Sequence, residues 1–155
     1  MGKVAESRPL SAAGLRVIVV AARYNAELVE QLISGAREAW LGAGGQPDAL
    51  RVERVPGAFE LPLAAQALAL NGGCDALVAL GCVIRGDTAH FDFVAGECAH
   101  GLQQVMLSTG VPVAFGVLTT DTVAQAQARA APGARNKGAE ALQTALVMAR
   151  WLRAL

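Results

Sequence analysis

Hydrophobic positions along this chain fall into two alternating rhythms. Leu15 to Ala22 (LRVIVVAA) is a nearly unbroken run of β-branched and small apolar residues, the pattern of a buried strand. After the polar triplet Arg23-Tyr24-Asn25 the rhythm turns helical. Leu28, Leu32, Ala36 and Ala39 recur at helical spacing with Val29, Ile33 and Trp40 beside them, Asn25 reads as the N-cap, and the glycines at 42, 44 and 45 end the helix. Arg51 to Val55 alternates and stops at Pro56-Gly57. Glu60 to Leu70 predicts a second helix, with Pro62 in its first turn and Asn71-Gly72-Gly73 closing it. Ala76 to Ile84 is continuously apolar, as suits a strand covered on both faces, and the polar loop RGDTAH leads into a helix from about Phe91 to Ser108. Val113 to Leu118 predicts a fourth strand. Thr119, Thr120 and Asp121 supply cap residues for a short helix through Arg129, AAPGARN interrupts it, and Lys137 to Ala154 predicts the last helix.

Strands that alternate with helices in this way predict one α/β domain, a doubly wound parallel sheet of four strands. Ligands of such sheets sit beyond the carboxyl ends of the strands. The polar junctions at 23 to 25, 56 to 60, 85 to 90 and 119 to 121 each follow a strand and precede a helix, so all four open on one rim.

Composition narrows what that rim serves. The 155 residues suffice for one domain with a sizeable core, and 54 % hydrophobic against 17 % charged residues excludes disorder. No apolar stretch approaches the roughly 18 residues of a membrane span, and MGKVAESRPLSAAG lacks an apolar signal region. Thirteen basic and thirteen acidic side chains cancel, and no Lys/Arg stripe exists to follow nucleic acid phosphates. Cys74, Cys82 and Cys98 form no CxxC pair, which reads as reduced thiols of a cytoplasmic protein with no structural metal. So few charges leave apolar surface that self-association would cover.

On the rim, Arg85-Gly86-Asp87-Thr88 precedes a helix whose free N–H groups favour an anion, although Asp87 or Thr88 could equally be a plain cap. Walker and GxGxxG phosphate loops are both missing. His90, near that helix start, reads either as solvent-facing or as a general acid/base; His100, deeper in the helix, reads as a helix-surface or interface residue. Glu60 at a helix start could accept hydrogen bonds from ligand hydroxyls or complement the dipole. Tyr24, the only tyrosine, could stack on a flat heterocycle or pack as a staple. Phe115, inside the fourth strand, reads as core, and Arg129 and Lys137 as surface charges unless the fold brings them to the rim.

The blocks ARYN (22 to 25), VPGAFELP (55 to 62), ALGCVIRGDTAHFDFV (79 to 94), GVPVAFGVLTTD (110 to 121) and NKGAEA (136 to 141) resemble the lumazine synthase family of riboflavin biosynthesis, in order and spacing, over nearly the whole chain. The resemblance implies a flavodoxin-like three-layer sandwich over residues 15–155 behind an N-terminal extension, 1–14. It implies condensation of 5-amino-6-(D-ribitylamino)uracil with 3,4-dihydroxy-2-butanone 4-phosphate to 6,7-dimethyl-8-ribityllumazine, releasing phosphate and water, with no cofactor or metal. The family's stacking aromatic falls on Tyr24, its pyrimidine and ribityl contacts on Asn25, Ala58, Phe59, Glu60, Val83 and Ile84, and its catalytic histidine on His90. Phosphate falls to Asp87, Thr88 and Arg129, with Lys137 as an additional candidate. The resemblance also implies pentamers with sites between subunits, Phe115 reaching the neighbour's pocket, and allows for association with riboflavin synthase. The link AAPGARNKG is as short as in relatives that build icosahedral shells, yet Arg135 stands where they carry a glycine and Pro132 is added, so pentamer and shell both stay open. Two other readings share the fold: an archaeal-type riboflavin synthase, and a ribityl-ligand carrier or shell protein without catalysis.

Overall fold

The computed structural model describes residues 9–155; positions 1–8 of the expected N-terminal extension lie outside the described residues. Strands β1 (Val17–Ala22), β2 (Arg51–Val55), β3 (Ala76–Ile84) and β4 (Val113–Thr120) form one parallel sheet in the order β2-β1-β3-β4. Helices α1 (Ala26–Gly42), α4 (Val123–Ala130) and α5 (Lys137–Arg153) cover one face, α2 (Leu61–Asn71) and α3 (His90–Thr109) the other. This is the expected doubly wound, three-layer α/β arrangement, with the strand order of flavodoxin-like sheets.

The apolar runs fall where two covered faces require them. β1 is buried throughout and β3 along most of its length, while the edge strands β2 and β4 keep exposed positions. Alternate residues of β3 feed two cores: Val78 and Leu80 join Leu32, Leu142 and Leu146 on one side, Leu77 and Ala79 join Leu61, Cys98 and Leu102 on the other. Each fully buried leucine contributes roughly 1.5–3 kcal/mol by leaving water.

The helix starts are where sequence expectation and structure part. Asn25 does not cap α1 with its side chain. It sits in the left-handed region (φ 57°, ψ 49°), which asparagine tolerates, and its Nδ2 donates 2.8 Å across to the Cys82 carbonyl of β3. For α4 the cap is not Thr119, Thr120 or Asp121: β4 runs on to Thr120, and Thr122 closes a capping box with Gln125. Strand pairing of Val83 with Thr119 and Ile84 with Thr120 takes the two threonines out of the turn. Thr88, not Asp87, serves the start of α3, its Oγ1 accepting from the His90 N–H at 3.3 Å.

The start of α5 holds the helical layer together. Asn136, 2 % exposed, accepts from Ala139 N through Oδ1, while its Nδ2 donates to Gln31 O of α1 (3.0 Å) and Ala130 O at the end of α4 (2.7 Å). Gly35 and Gly138 leave room for this junction. A Cβ on Gly138 would stand 1.9 Å from the Leu32 carbonyl oxygen, and one on Gly35 would stand 2.0 Å from Asn136 Oδ1.

At the opposite end of the sheet, Asp75 accepts from the Arg16 backbone N–H (2.7 Å), from the Arg16 side chain and from Arg153 Nη2 (3.0 Å). The last turn of α5 also grips the chain before β1: Arg150 donates to the carbonyls of Ser11 and Ala13, and Arg153 to that of Gly14. Partial burial by itself would raise the Asp75 pKa, but the hydrogen bonds from Arg16 and Arg153 outweigh it and hold the carboxyl below its usual range. A depressed folded-state pKa stabilises above the unfolded value, and that stability is lost as pH falls from there through the folded one. We therefore expect Asp75→Asn to be less stable than the wild type at neutral pH, with the gap closing below about pH 4. Urea titrations across that range check it, and a gap that does not change with pH would exclude this origin.

Candidate active site

Strand order reverses between β1 and β3, and the crevice at that switch point is where open α/β sheets bind ligands. The Asn25–Cys82 hydrogen bond ties the loop after β1 to the end of β3 beside it. The loop after β2 folds in alongside, because Arg23 N donates to Val55 O (2.9 Å) and Tyr24 N to Pro56 O (3.1 Å). Two side chains converge over Gly57: a Cβ there would lie 2.8 Å from Tyr24 Cδ2 and 3.2 Å from Glu60 Oε2. Glycine at 57 is thus a spatial requirement of the Tyr24–Glu60 pair. Tyr24 is 71 % and Phe59 59 % exposed, large aromatic faces on a rim that can stack on a planar ring. Val83 and Ile84 are half-buried at the end of β3, and Ala58 is buried beneath the exposed Phe59 and Glu60.

The loop from Arg85 to Ala89 and His90, the first residue of α3, are exposed beside this crevice. Gly86 has open space where a side chain would stand. The backbone of this loop and an imidazole therefore face solvent together, an arrangement able to bind an anion and exchange a proton next to it.

A second depression runs along the edge strand. It has a volume of about 600 Å³ and is walled by β4, by α5 from Lys137 to Met148 and by Met106 of α3. Phe115, Thr119, Arg129, Lys137 and Glu140 all line it. Phe115 is 41 % exposed, which overturns the reading of it as core: β4 is an edge strand, and its ring stands in the groove. Arg129 Nη1 donates to Gln125 O (3.0 Å) and Lys137 Nζ to Glu140 Oε2 (2.6 Å), leaving both cations on the groove wall.

A model of the 6,7-dimethyl-8-ribityllumazine synthase family matches residues 14–153, which takes in every loop just described. The chain belongs to that family. Two curated relatives, from two strains of Thermus thermophilus, both carry the name 6,7-dimethyl-8-ribityllumazine synthase. Each is 51 % identical over 146 residues, which is 94 % of this chain and 93 % of theirs.

Set against the site expected of a lumazine synthase, the chain keeps two groups of residues apart. Tyr24, Asn25, Ala58, Phe59, Glu60, Val83, Ile84, Asp87, Thr88 and His90 gather around the crevice. Phe115, Arg129 and Lys137 gather in the groove, whose lining includes none of the first group. His100 lies on the surface of α3 with Gln104 as its neighbour, as read. Burial pushes the Cys82 thiol up to about 11 and that of Cys98 to about 12, so neither offers a thiolate near neutral pH. Among the described residues no three His, Cys, Asp or Glu side chains cluster as a metal site.

Sequence reasoning missed two residues. Asn136 positions α4 and α5, and hence both groove cations; an asparagine directly before a helical run was the available signal. Arg85 was read as part of a phosphate loop, but its guanidinium is taken by Asp92 and Asp121.

Proposed function

We propose that the crevice of one subunit and the β4 groove of its neighbour form a single catalytic site. There the chain condenses 5-amino-6-(D-ribitylamino)uracil with 3,4-dihydroxy-2-butanone 4-phosphate to 6,7-dimethyl-8-ribityllumazine, a transferase reaction of riboflavin biosynthesis. What carries the reading is the family match across all four rim loops, 14–153, with His90 retained at the helix start.

Tyr24 stacks on the pyrimidine. The Ala58 and Phe59 backbone, Asn25, Val83 and Ile84 hold its edges and the ribityl chain, and the Glu60 carboxylate accepts from ligand N–H or O–H groups. N–H groups at Asp87 and Thr88 take the phosphate, their backbone serving better than the Asp87 carboxylate, which a phosphate repels. From the neighbouring subunit come Phe115 as a second apolar wall, the Arg129 fork for the phosphate and Lys137 as a further cation. His90 moves protons as the amine attacks the ketone, water and phosphate leave and the ring closes. Holding two substrates together supplies the larger part of the acceleration, since effective molarity is worth about 7–11 kcal/mol at best. Neither a cofactor nor a metal enters this scheme.

Self-association into pentamers, free or joined into a shell, follows from the split site. Supporting it are the open edge of β4 and an apolar outer face, with Leu63 and Leu70 exposed on α2 and Phe93 and Leu107 on α3. Sedimentation measures it. No described helix is long and apolar enough to cross a membrane, and three free, buried cysteines suit a reducing cytoplasm. Residues 15–155 carry the catalytic domain, and of the expected extension, 1–14, Leu10 and Ala12 pack into that domain's core.

A steady-state assay with both substrates, following lumazine absorbance and inorganic phosphate together, tests the reaction. Stoichiometric appearance of both supports it; tight pyrimidine binding with neither product overturns it in favour of a carrier. Arg129→Ala should raise KM for the butanone phosphate by about 10-fold or more, as expected for a lost charge-assisted hydrogen bond. An unchanged KM removes Arg129 from the phosphate site. If the site is shared, coassembled His90→Ala and Arg129→Ala subunits show, at low butanone phosphate, a rate above that of either variant alone.

A further inference from the structure

We propose that Arg85 is a positioning residue for His90, a reading that rests on the catalytic role of His90 above. Its guanidinium joins three segments. Nε donates to Asp121 Oδ1 (2.8 Å) in the turn after β4, and Nη1 donates to Asp92 Oδ1 (3.1 Å) in the first turn of α3. Its central carbon lies 4.2 Å from the centroid of the Phe91 ring. The Arg85 backbone N–H meanwhile donates to Thr120 O (2.8 Å), extending the β3–β4 pairing past the last paired residues.

Phe91 and Asp92 directly follow His90. The two residues that the guanidinium holds therefore fix the turn that carries the imidazole. The other ties of this turn are made by backbone N–H groups, Asp92 N–H to Ala89 O at 3.0 Å and His90 N–H to Thr88 Oγ1 at 3.3 Å; every side chain from Arg85 to His90 is exposed and Gly86 meets nothing. Two exposed ion pairs add little to global stability, so the fork acts on local geometry. That geometry matters because a misplacement of about 1 Å can cost about 10²-fold in rate. With both carboxylates engaged and one face on Phe91, the guanidinium is held in one orientation by its Nε, its Nη1 and its ring contact. A lysine ammonium cannot reproduce a planar fork between two carboxylates and a ring.

Kinetics of Arg85→Gln, His90→Ala and the double variant, with both substrates varied, test the proposal. Arg85→Gln should lower kcat about 10-fold when His90 is present and less than about 2-fold when it is replaced, the non-additivity of residues acting as one unit. KM for the butanone phosphate should stay within about 2-fold, and Arg85→Lys should recover little of the loss. Equal factors in the two backgrounds overturn the proposal, as does full recovery with lysine. A raised KM for the butanone phosphate with kcat unchanged also overturns it, making Arg85 a direct ligand. Wild-type protein that forms no lumazine is a failure of the proposed reaction itself, visible before any variant is made. Should Arg85→Gln not reach the wild-type assembly, Asp121→Ala removes the 2.8 Å bond and leaves the arginine in place. A fall in kcat that depends on His90 then supports the proposal, and one independent of His90 overturns it.

Discussion

Replacing His90 by alanine lowers kcat about 10²-fold and leaves a measurable rate. That factor corresponds to roughly 2.7 kcal/mol of transition-state stabilisation, at 1.36 kcal/mol for each tenfold. The residual rate persists because the aromatic rim, the α3 N-terminus and the groove cations still hold both substrates against each other, and proximity does not depend on the imidazole. KM for the two substrates should change little, since a proton shuttle acts on the reacting centre and a loss confined to kcat marks an interaction made in the transition state. Steady-state kinetics with each substrate varied in turn read this directly. Wild-type kcat in the alanine variant removes His90 from the chemistry, and a loss confined to KM makes it a binding residue. Imidazole added to the buffer should restore part of the missing rate, because the vacated place at the start of α3 is open to solvent.

The second large effect lies far from any substrate. Gly138→Ala puts a methyl group 1.9 Å from the Leu32 carbonyl oxygen and 2.6 Å from its carbon, atoms of the α1 backbone that cannot rotate away. Relief requires α5 to move off α1, which breaks the Asn136 bonds to Gln31 and Ala130 as it goes. We expect a loss of about 3 kcal/mol, the upper part of the range for overpacked cores. In a domain of this length that lowers Tm by about 6–12 °C. Thermal melts at one fixed protein concentration check it, because association shifts Tm with concentration. A melting point within about 2 °C of wild type would mean that the α1–α5 crossing is looser than the glycine contact implies. The displaced α5 also carries Lys137, so the folded fraction of the variant should use the butanone phosphate poorly.

How far the site was legible depends on the kind of signal each residue carries. Tyr24, Glu60 and His90 sit at junctions between an apolar run and a helical one, and in a parallel sheet every such junction points to the same end, so their neighbourhood follows from element order. Phe115 misled because an aromatic within an apolar strand reads as buried, whereas an edge strand with no neighbour on one side exposes its outward positions. Edge or centre is a property of strand order, which local composition does not encode. Arg129 and Lys137 were ordinary helix-surface charges until α4 and α5 folded against β4 and turned both onto one groove wall. Caps divide in the same way. Pro62 in the first turn of α2 could be read locally, while Asn25 looked like a cap and became a cross-strand tie, because its left-handed backbone turns the amide toward Cys82.

The sequence alone determined the element order, the helix and strand identities, the layered α/β class and the rim on which the polar junctions gather, all consequences of hydrophobic period and turn chemistry acting over short stretches of chain. Its loop motifs also carried the family. Tertiary structure alone decided that the candidate residues divide between a crevice and a groove, that Arg85 is bound to two carboxylates on separate segments, and that Asn136 and Gly138 set the α1–α5 crossing. Each of these joins residues distant along the chain. Their meeting depends on which strand pairs with which and how closely two helices pack, and no local pattern encodes either.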